Sequence, residues 1–379
     1  MPAAAEAVKA SITTKNLQHA LKVISGVVER ATTIPIIQGV RFEQRQEGLA
    51  AEATNLDLSI RVLFGQESGL AAPIVTPAHK LAAWAKLLSG ESVSMKAGES
   101  RLTVTCGHAR ATLPLYAEKQ WPKLTFETDG DELTLEVAEL KRALGFTILA
   151  SSVEESRYTL NAVLFTGDGN ELRLVATDGH RMMVYTLAGK AKLNQTMPRG
   201  MVKALLPLLD DAQGVELDFG KELIAATLPG DEPVFLTSRR VTGTFPHWEA
   251  VLPKSADRVR VELPVADLLT SAERCALLSP VESNAIALEF SPDRLTMTSA
   301  NAEWGESEET IELGALPLKE NVRIGLNARY LLDLLKKLDS AGKITLAIPA
   351  SAGQPLLFQA MPAEGERIDY VVMPLRLEK

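Results

Sequence analysis

Asn161-Ala162-Val163 opens a β-like run that leads to the polar turn Ala176-Thr177-Asp178-Gly179, and the chain carries this arrangement three times. Gln38-Gly39-Val40 and Asn284-Ala285-Ile286 open the matching runs, which lead to Ala53-Thr54-Asn55-Leu56 and Ser299-Ala300-Asn301-Ala302. Both sets recur at a constant offset of 123 positions, from Gln38 to Asn161 to Asn284 and from Asn55 to Asp178 to Asn301. A period this long exceeds that of a solenoid unit, so each copy reads as a whole domain.

The helices repeat as well. A first amphipathic segment places Leu17, Leu140 and Leu268 at matching positions, with a small slip of register in the third. A second begins at Pro77, Pro198 and Asn327, and each reaches a leucine eleven residues on, at Leu88, Leu209 and Leu338. Between them, runs such as Arg101-Leu102-Thr103-Val104-Thr105 and Glu171-Leu172-Arg173-Leu174-Val175 alternate with a period of two, which marks half-buried strands. The expected fold is α+β, three copies of a domain in which two helices pack on antiparallel sheets. Turn formers at Thr128-Asp129-Gly130-Asp131 and Leu252-Pro253-Lys254-Ser255 place the domains at 1–128, 129–253 and 254–379.

With 379 residues, 46% of them hydrophobic, the chain can bury three cores of about 100 to 150 residues each. Two cysteines, Cys106 and Cys275, form no disulfide framework or CxxC zinc pair. Met1–Ala10 lacks an apolar signal core, and no apolar run approaches the roughly 20 residues that span a bilayer. The expectation is a cytoplasmic protein with no membrane partner. A net charge of −8 taken alone argues against nucleic acid, but the positions of the charges argue the other way. Five of the six helical segments carry cations on their polar faces: Lys15, His19 and Lys22; His79, Lys80 and Lys86; Lys141 and Arg142; Arg199 and Lys203; Arg329, Lys336 and Lys337. Acids there are few, Glu139 and Asp333, and only the fifth segment, with Asp267, Glu273 and Arg274, breaks the trend. Turned the same way, these faces make one positive surface that holds a phosphate backbone without reading sequence.

Ala176-Thr177-Asp178-Gly179-His180-Arg181-Met182, then Phe245-Pro246 with Val251-Leu252-Pro253, and the tail Tyr370-Val371-Val372-Met373-Pro374-Leu375-Arg376-Leu377 resemble the bacterial sliding clamps, the beta subunits of DNA polymerase III. The resemblance runs from about Val8 to Leu377 in the same order and spacing. It implies a non-catalytic processivity subunit that needs no cofactor or metal. It also implies a head-to-tail homodimer, six domains in a closed ring, with helices lining a hole for double-stranded DNA. Implied partners are the DNA polymerase III alpha subunit, the clamp loader, and other polymerases and repair proteins that dock through short clamp-binding peptides.

By resemblance, the DNA contacts are Arg30, His79, Lys80, Lys141, Arg142, Tyr158, Arg199 and Lys203. Among the DNA-contact segments three positions depart from the family pattern, Glu154 standing for a glutamine, Thr159 for a second tyrosine and Gly200 for a basic residue; elsewhere Ala250 and His108 stand for arginines, Ala111 for a bulky apolar residue, and Glu378-Lys379 extend the tail. The partner-peptide pocket maps to Leu160, Thr177, Gly179, His180, Arg181, Met182, Pro246, Val251, Val371, Met373, Pro374, Leu375 and Arg376. Methionines adapt to varied partner side chains while prolines stiffen the walls. The dimer interface maps to His108, Arg110 and Ala111 on one side and to Leu277, Leu278, Glu306, Glu308 and Glu309 on the other. Alternatives are a specialised clamp duplicate or an enzyme using Asp178 and His180. The second is disfavoured because the two residues supply fewer ligands than the three of a catalytic zinc, and neither a phosphate-binding glycine loop nor a GxSxG elbow occurs.

Overall fold

The computed structural model describes residues 8–64, 69–189, 191–254 and 258–377. The first repeat contains β1 (Val8–Thr13), α1 (Thr14–Ile24), β2 (Gly39–Arg45), β3 (Gly48–Thr54), β4 (Leu58–Phe64), β5 (Ile74–Pro77), α2 (Ala78–Ala85), β6 (Ser92–Ala97), β7 (Arg101–Cys106) and β8 (Ala109–Pro114). The second contains β9 (Gly130–Thr134), α3 (Val137–Thr147), β10 (Ala162–Asp168), β11 (Glu171–Thr177), β12 (Arg181–Ala188), β13 (Lys192–Pro198), α4 (Arg199–Leu205), β14 (Glu216–Gly220), β15 (Leu223–Leu228) and β16 (Val234–Arg239). The third contains β17 (Val259–Pro264), α5 (Val265–Leu277), β18 (Ala285–Phe290), β19 (Arg294–Asn301), β20 (Gly305–Glu312), β21 (Val322–Asn327), α6 (Ala328–Leu335), β22 (Lys343–Ile348), β23 (Leu356–Ala360) and β24 (Glu366–Val372). Element order is therefore the same in all three, and β2, β10 and β18 begin 123 residues apart.

Local chemistry explains the recurrence. Leu17, Leu140 and Leu268 are fully buried, one under each first helix. Thr13 caps α1 by accepting from the Asn16 amide, and Asn327 caps α6 by accepting from the Arg329 amide. The second helices are short, so Leu88 and Leu338 lie beyond their ends and are only half-buried. The turn after β3, β11 and β19 is built by one side chain each time. Asn55 Oδ1 accepts from the Asp57 and Leu58 amides, Asp178 Oδ1 from the His180 and Arg181 amides, and Asn301 Oδ1 from the Glu303 amide.

The sheets do not follow the repeat. Contacts divide the chain into two compact units, Met1–Lys141 with Gly200–Arg240 and Arg142–Arg199 with Val241–Lys379. In the first unit an eight-stranded antiparallel sheet runs β5-β2-β3-β4-β16-β15-β14-β9, beside a four-stranded sheet β1-β6-β7-β8. In the second, an eight-stranded sheet runs β13-β10-β11-β12-β24-β23-β22-β17, beside a four-stranded sheet β20-β19-β18-β21. Each eight-stranded sheet thus has a seam where two repeats pair, β4 with β16 and β12 with β24. Within the first unit α1 packs on α2, and within the second α5 packs on α6. Among the described residues the strands β8 and β20 are sheet edges, as are β1, β5, β9, β13, β17 and β21, but only β8 and β20 occupy the positions that pair at a seam elsewhere in the chain.

Candidate functional site

The polar string 177–181 lies at one end of the β12–β24 seam. Thr177 donates its hydroxyl to the Arg181 carbonyl at 2.7 Å and accepts from the Gly179 amide at 3.1 Å. Gly179 has φ of 91°, a left-handed conformation for which glycine is suited. Asp178 is consumed by the turn: besides its two amide donors, it accepts from Arg181 Nε at 3.0 Å. Its carboxylate thus organises backbone and does not pair with the His180 side chain.

The tail is brought to the same place. β24 pairs with β12 so that Met182 faces Val371 and Arg181 faces Val372, and the Met373 amide then donates to the His180 carbonyl at 2.8 Å. Leu375 continues the tail by donating to the Gly325 carbonyl at 2.8 Å. A Cβ on Gly325 would stand 2.6 Å from the Leu375 carbonyl, so the absence of a side chain there lets the tail lie close to β21. Beneath the surface Met182 and Val371 join Leu164, Val175, Val184, Phe245, Trp248, Ala347 and Leu357 in one apolar cluster, against which Leu252 packs. Above it Met373 remains 40% and Val251 47% exposed, while Leu160, Pro374 and Leu375 are half-buried and Pro246, Gly179, His180 and Arg376 are exposed. The loop before Leu160 is tied in through Arg157, which donates to the Asp178 carbonyl at 3.2 Å. The Arg157 contact and the floor role of Phe245 and Trp248 leave no signal of their own in the sequence, although both aromatics lie within two residues of Pro246.

The basic residues divide into two kinds. Arg30, Lys80 and Lys203 are exposed, and Tyr158 is 68% exposed. Lys141 is exposed but pairs with Asp210 at 2.6 Å, and His79 is half-buried. Arg142 and Arg199 differ from the helix-face cations that the sequence led one to expect, because their guanidinium groups are engaged within the protein. Arg142 Nε donates to both Glu366 oxygens, at 3.2 and 3.0 Å, and its Nη2 and the Tyr185 hydroxyl bond the same carboxylate. Burial alone would raise the Glu366 pKa, but the hydrogen bonds from Arg142 and Tyr185 outweigh it and hold the carboxyl below its ordinary range. Arg199 donates to the carbonyls of Ile148 at 2.6 Å and Ser151 at 3.2 Å, and burial followed by the charge of Arg181 lowers its pKa.

On the free edges, alternation separates residues that the sequence grouped. Glu306 and Glu308 lie on the exposed face of β20, whereas Glu309 faces the other way and pairs with Arg274 Nε at 2.7 Å. That hydrogen bond, opposed only weakly by burial, keeps the Glu309 carboxyl below its ordinary pKa. His108 and Arg110 are exposed, Ala111 is half-buried opposite Val104, Leu277 is 74% exposed and Leu278 half-buried.

Three repeats of a two-helix domain, paired through long antiparallel sheets, with apolar side chains left exposed at one seam, make a chain of the DNA-clamp class. Comparison makes the assignment specific. Profiles of the DNA polymerase III beta subunit match in order, its N-terminal domain at residues 8–125, central domain at 134–247 and C-terminal domain at 249–376. The beta sliding clamp of Pseudomonas putida is 32% identical over 367 residues, covering 94% of this chain and 96% of that protein. The crystal structure of the DNA polymerase III beta subunit from Pseudomonas aeruginosa matches with a TM-score of 0.87 at 27% identity, covering 97% of this chain and all of that one. A sliding clamp from Bartonella birtlesii bound to griselimycin matches at 0.89 and 26%, covering 98% and 100%. The chain belongs to the DNA polymerase III beta subunit family, and its function is that of a sliding clamp in DNA replication. Among the described residues no helix is long and apolar enough to cross a membrane.

Proposed function

We propose that two copies close head to tail into a ring that encircles double-stranded DNA in the cytoplasm and tethers polymerases through the β12–β24 pocket. The observation that carries this reading is that two of the open sheet edges, β20 and β8, hold the repeat positions that pair at both internal seams. Each internal seam joins the third strand of a repeat's central run to the last strand of the next repeat, β4 to β16 and β12 to β24. The third such strand is β20 and the remaining last strand is β8, both open, and an unprotected edge is a template for another chain. The internal registers also offer a template for the pairing between copies. Arg61 faces Phe235 and Val184 faces Asp369 at the equivalent rung, and the same register continued between copies supports Glu308 opposite Arg110 of the partner subunit. Leu277, Leu278, Glu306, His108 and Ala111 flank that contact, while Glu309 supports it through Arg274.

In the ring, Arg30, His79, Lys80, Lys141, Tyr158 and Lys203 face the duplex. Arg142 and Arg199 add positive field from behind while serving as internal struts. Scattered cations on an acidic body bind phosphate weakly, so retention is topological. The pocket of Leu160, Thr177, Gly179, His180, Arg181, Met182, Pro246, Val251, Val371, Met373, Pro374, Leu375 and Arg376 takes short peptides from the alpha subunit, the clamp loader and repair proteins. One experiment tests both halves. Glu308→Arg and Arg110→Glu should each lower the dimer mass seen by light scattering, and together restore it. Wild-type protein loaded on a closed circle should remain for many minutes and leave once the circle is cut. Equal residence on circles and on linear DNA with free ends would overturn the encircling reading.

A further inference from the structure

Arg181 belongs to the pocket turn by its backbone, yet its side chain reaches α6. Its Nη1 donates to Asp333 Oδ2 at 2.7 Å and to the Tyr370 hydroxyl at 3.4 Å, its Nε donates to Asp178, and the guanidinium lies 4.3 Å from the centre of the Tyr330 ring. Tyr370 in turn donates to the Tyr330 carbonyl at 3.1 Å. The Arg181 side chain is 12% exposed, so one buried fork holds two carboxylates at a set spacing, one from the turn and one from the helix.

The other seam shows that the fold does not require this clasp. Register places Leu58 where Arg181 stands, and Leu236 where Tyr370 stands. Helix alignment from the N-caps Pro198 and Asn327 places Met201 and Ala204 where Tyr330 and Asp333 stand. The same turn, with Asn55 as its acceptor, forms there without a charge network. The network occurs at the seam whose turn carries a pocket wall.

We infer that Asp333, which lies on α6 apart from the pocket residues, is a positioning residue for partner-peptide binding: its carboxylate fixes Arg181, and through it the 177–181 turn whose His180 carbonyl anchors Met373. Without Asp333 the Arg181 side chain is free to take other rotamers, and the Asp178 carboxylate loses the fixed partner that braces the turn. The inference rests on the pocket reading above and is tested so that the two can fail separately.

The probe is a fluorescein-labelled peptide carrying the clamp-binding segment of the cognate DNA polymerase III alpha subunit, titrated against the dimer by polarisation. Asp333→Asn should weaken binding by about tenfold, a coupling of ordinary size for a residue outside the contact surface, and Asp333→Glu should recover most of it. In an Arg181→Leu background, Asp333→Ala should add nothing, since the apolar pair reproduces the arrangement with which the first seam folds. Dimer mass and urea midpoint should stay at wild-type values in Asp333→Asn. Wild-type affinity in Asp333→Asn overturns the inference, as does an undiminished further loss on adding Asp333→Ala to Arg181→Leu. If replacing Met373 and Leu375 by alanine leaves affinity unchanged, the pocket reading itself fails.

Discussion

The two seams share a backbone and differ in their side chains. At the first, the Asp57 carbonyl accepts from the Arg239 amide at 2.9 Å; at the second, the His180 carbonyl accepts from the Met373 amide at 2.8 Å. Paired residues beside these rungs are Ser59 with Thr237 in one and Met182 with Val371 in the other. Where the second exposes Met373, the first has Arg239, and where the second has Gly179, the first has Leu56 at φ of 81°. The exposed apolar surface of the second seam is therefore not a property of the architecture. It arises from a few substitutions laid over a fixed frame, which turn a polar seam into an apolar surface.

The far ends of the seams differ in the same spirit. His19 of α1 approaches Glu232 at 3.7 Å, with the two side chains 35% and 26% exposed. At the equivalent position of the second repeat, Arg142 of α3 holds Glu366, whose side chain is only 3% exposed. Breaking the second pair should have the largest effect on stability. Arg142→Ala leaves a buried carboxylate shared only with Tyr185 and should cost about 3 kcal/mol, the low end for a broken buried pair because Arg142 itself is partly solvated. Glu232→Gln should cost less than about 1 kcal/mol. Urea midpoints followed through Trp248 for the second unit and Trp121 for the first would read the two; equal costs would erase the distinction.

Placing the first seam's residue in the second is the next test. Met373→Arg, which copies Arg239 of the first seam, keeps the backbone rung and the fold but sets a charge in the apolar surface. Peptide affinity should fall at least about tenfold, in line with losing a hot-spot contact. Unchanged binding would detach the pocket from the tail.

Acid should separate the units more gently. The Glu366 carboxyl titrates below its ordinary value of 4.5, so its contribution is complete above that pH and is lost as the pH falls through the lower, folded value. The second unit should therefore lose stability below pH 4.5, and Glu366→Gln should flatten that decline while lowering stability at neutral pH. A decline unaltered by the substitution would assign acid sensitivity elsewhere. The smallest effect is expected at the turns. Gly179→Ala should cost about 1 kcal/mol, and Leu56→Gly should stabilise by less than about 1 kcal/mol, because relief of the left-handed backbone is offset by added freedom in the unfolded chain. Calorimetric midpoints would show whether the two changes have opposite sign.

Much of this frame could be read in advance, for reasons that particular residues make plain. Leu17, Leu140 and Leu268 lie in the cores because helical periodicity registers burial directly. Asn55, Asp178 and Asn301 mark turns because their side chains make the turn themselves. The seams were not legible, since pairing between strands as distant as β12 and β24 leaves no local pattern. The internal bonds of Arg142 and Arg199 are hidden for a related reason: a cation on the polar stripe of a helix looks the same in sequence whether it meets water, a buried carboxylate or backbone carbonyls. Glu309 was grouped with Glu306 and Glu308 because three acids in a row of four conceal the alternation that separates them on β20.

Each compact unit combines one end repeat with part of the middle one, with boundaries inside α3, at the start of α4 and after β16. The piece of chain that was duplicated is thus not a piece that can stand alone. A fragment cut to the second repeat would keep β9 and β14–β16 without β2–β5, and β10–β13 without β17 and β22–β24, leaving β12 and β16 each with an open side. Proteolysis at a repeat boundary should therefore release sticky half-sheets that associate or aggregate, whereas fragments chosen to preserve whole sheets would need two separate stretches of chain expressed together. Sharing strands across the repeat junctions makes each repeat dependent on its neighbour.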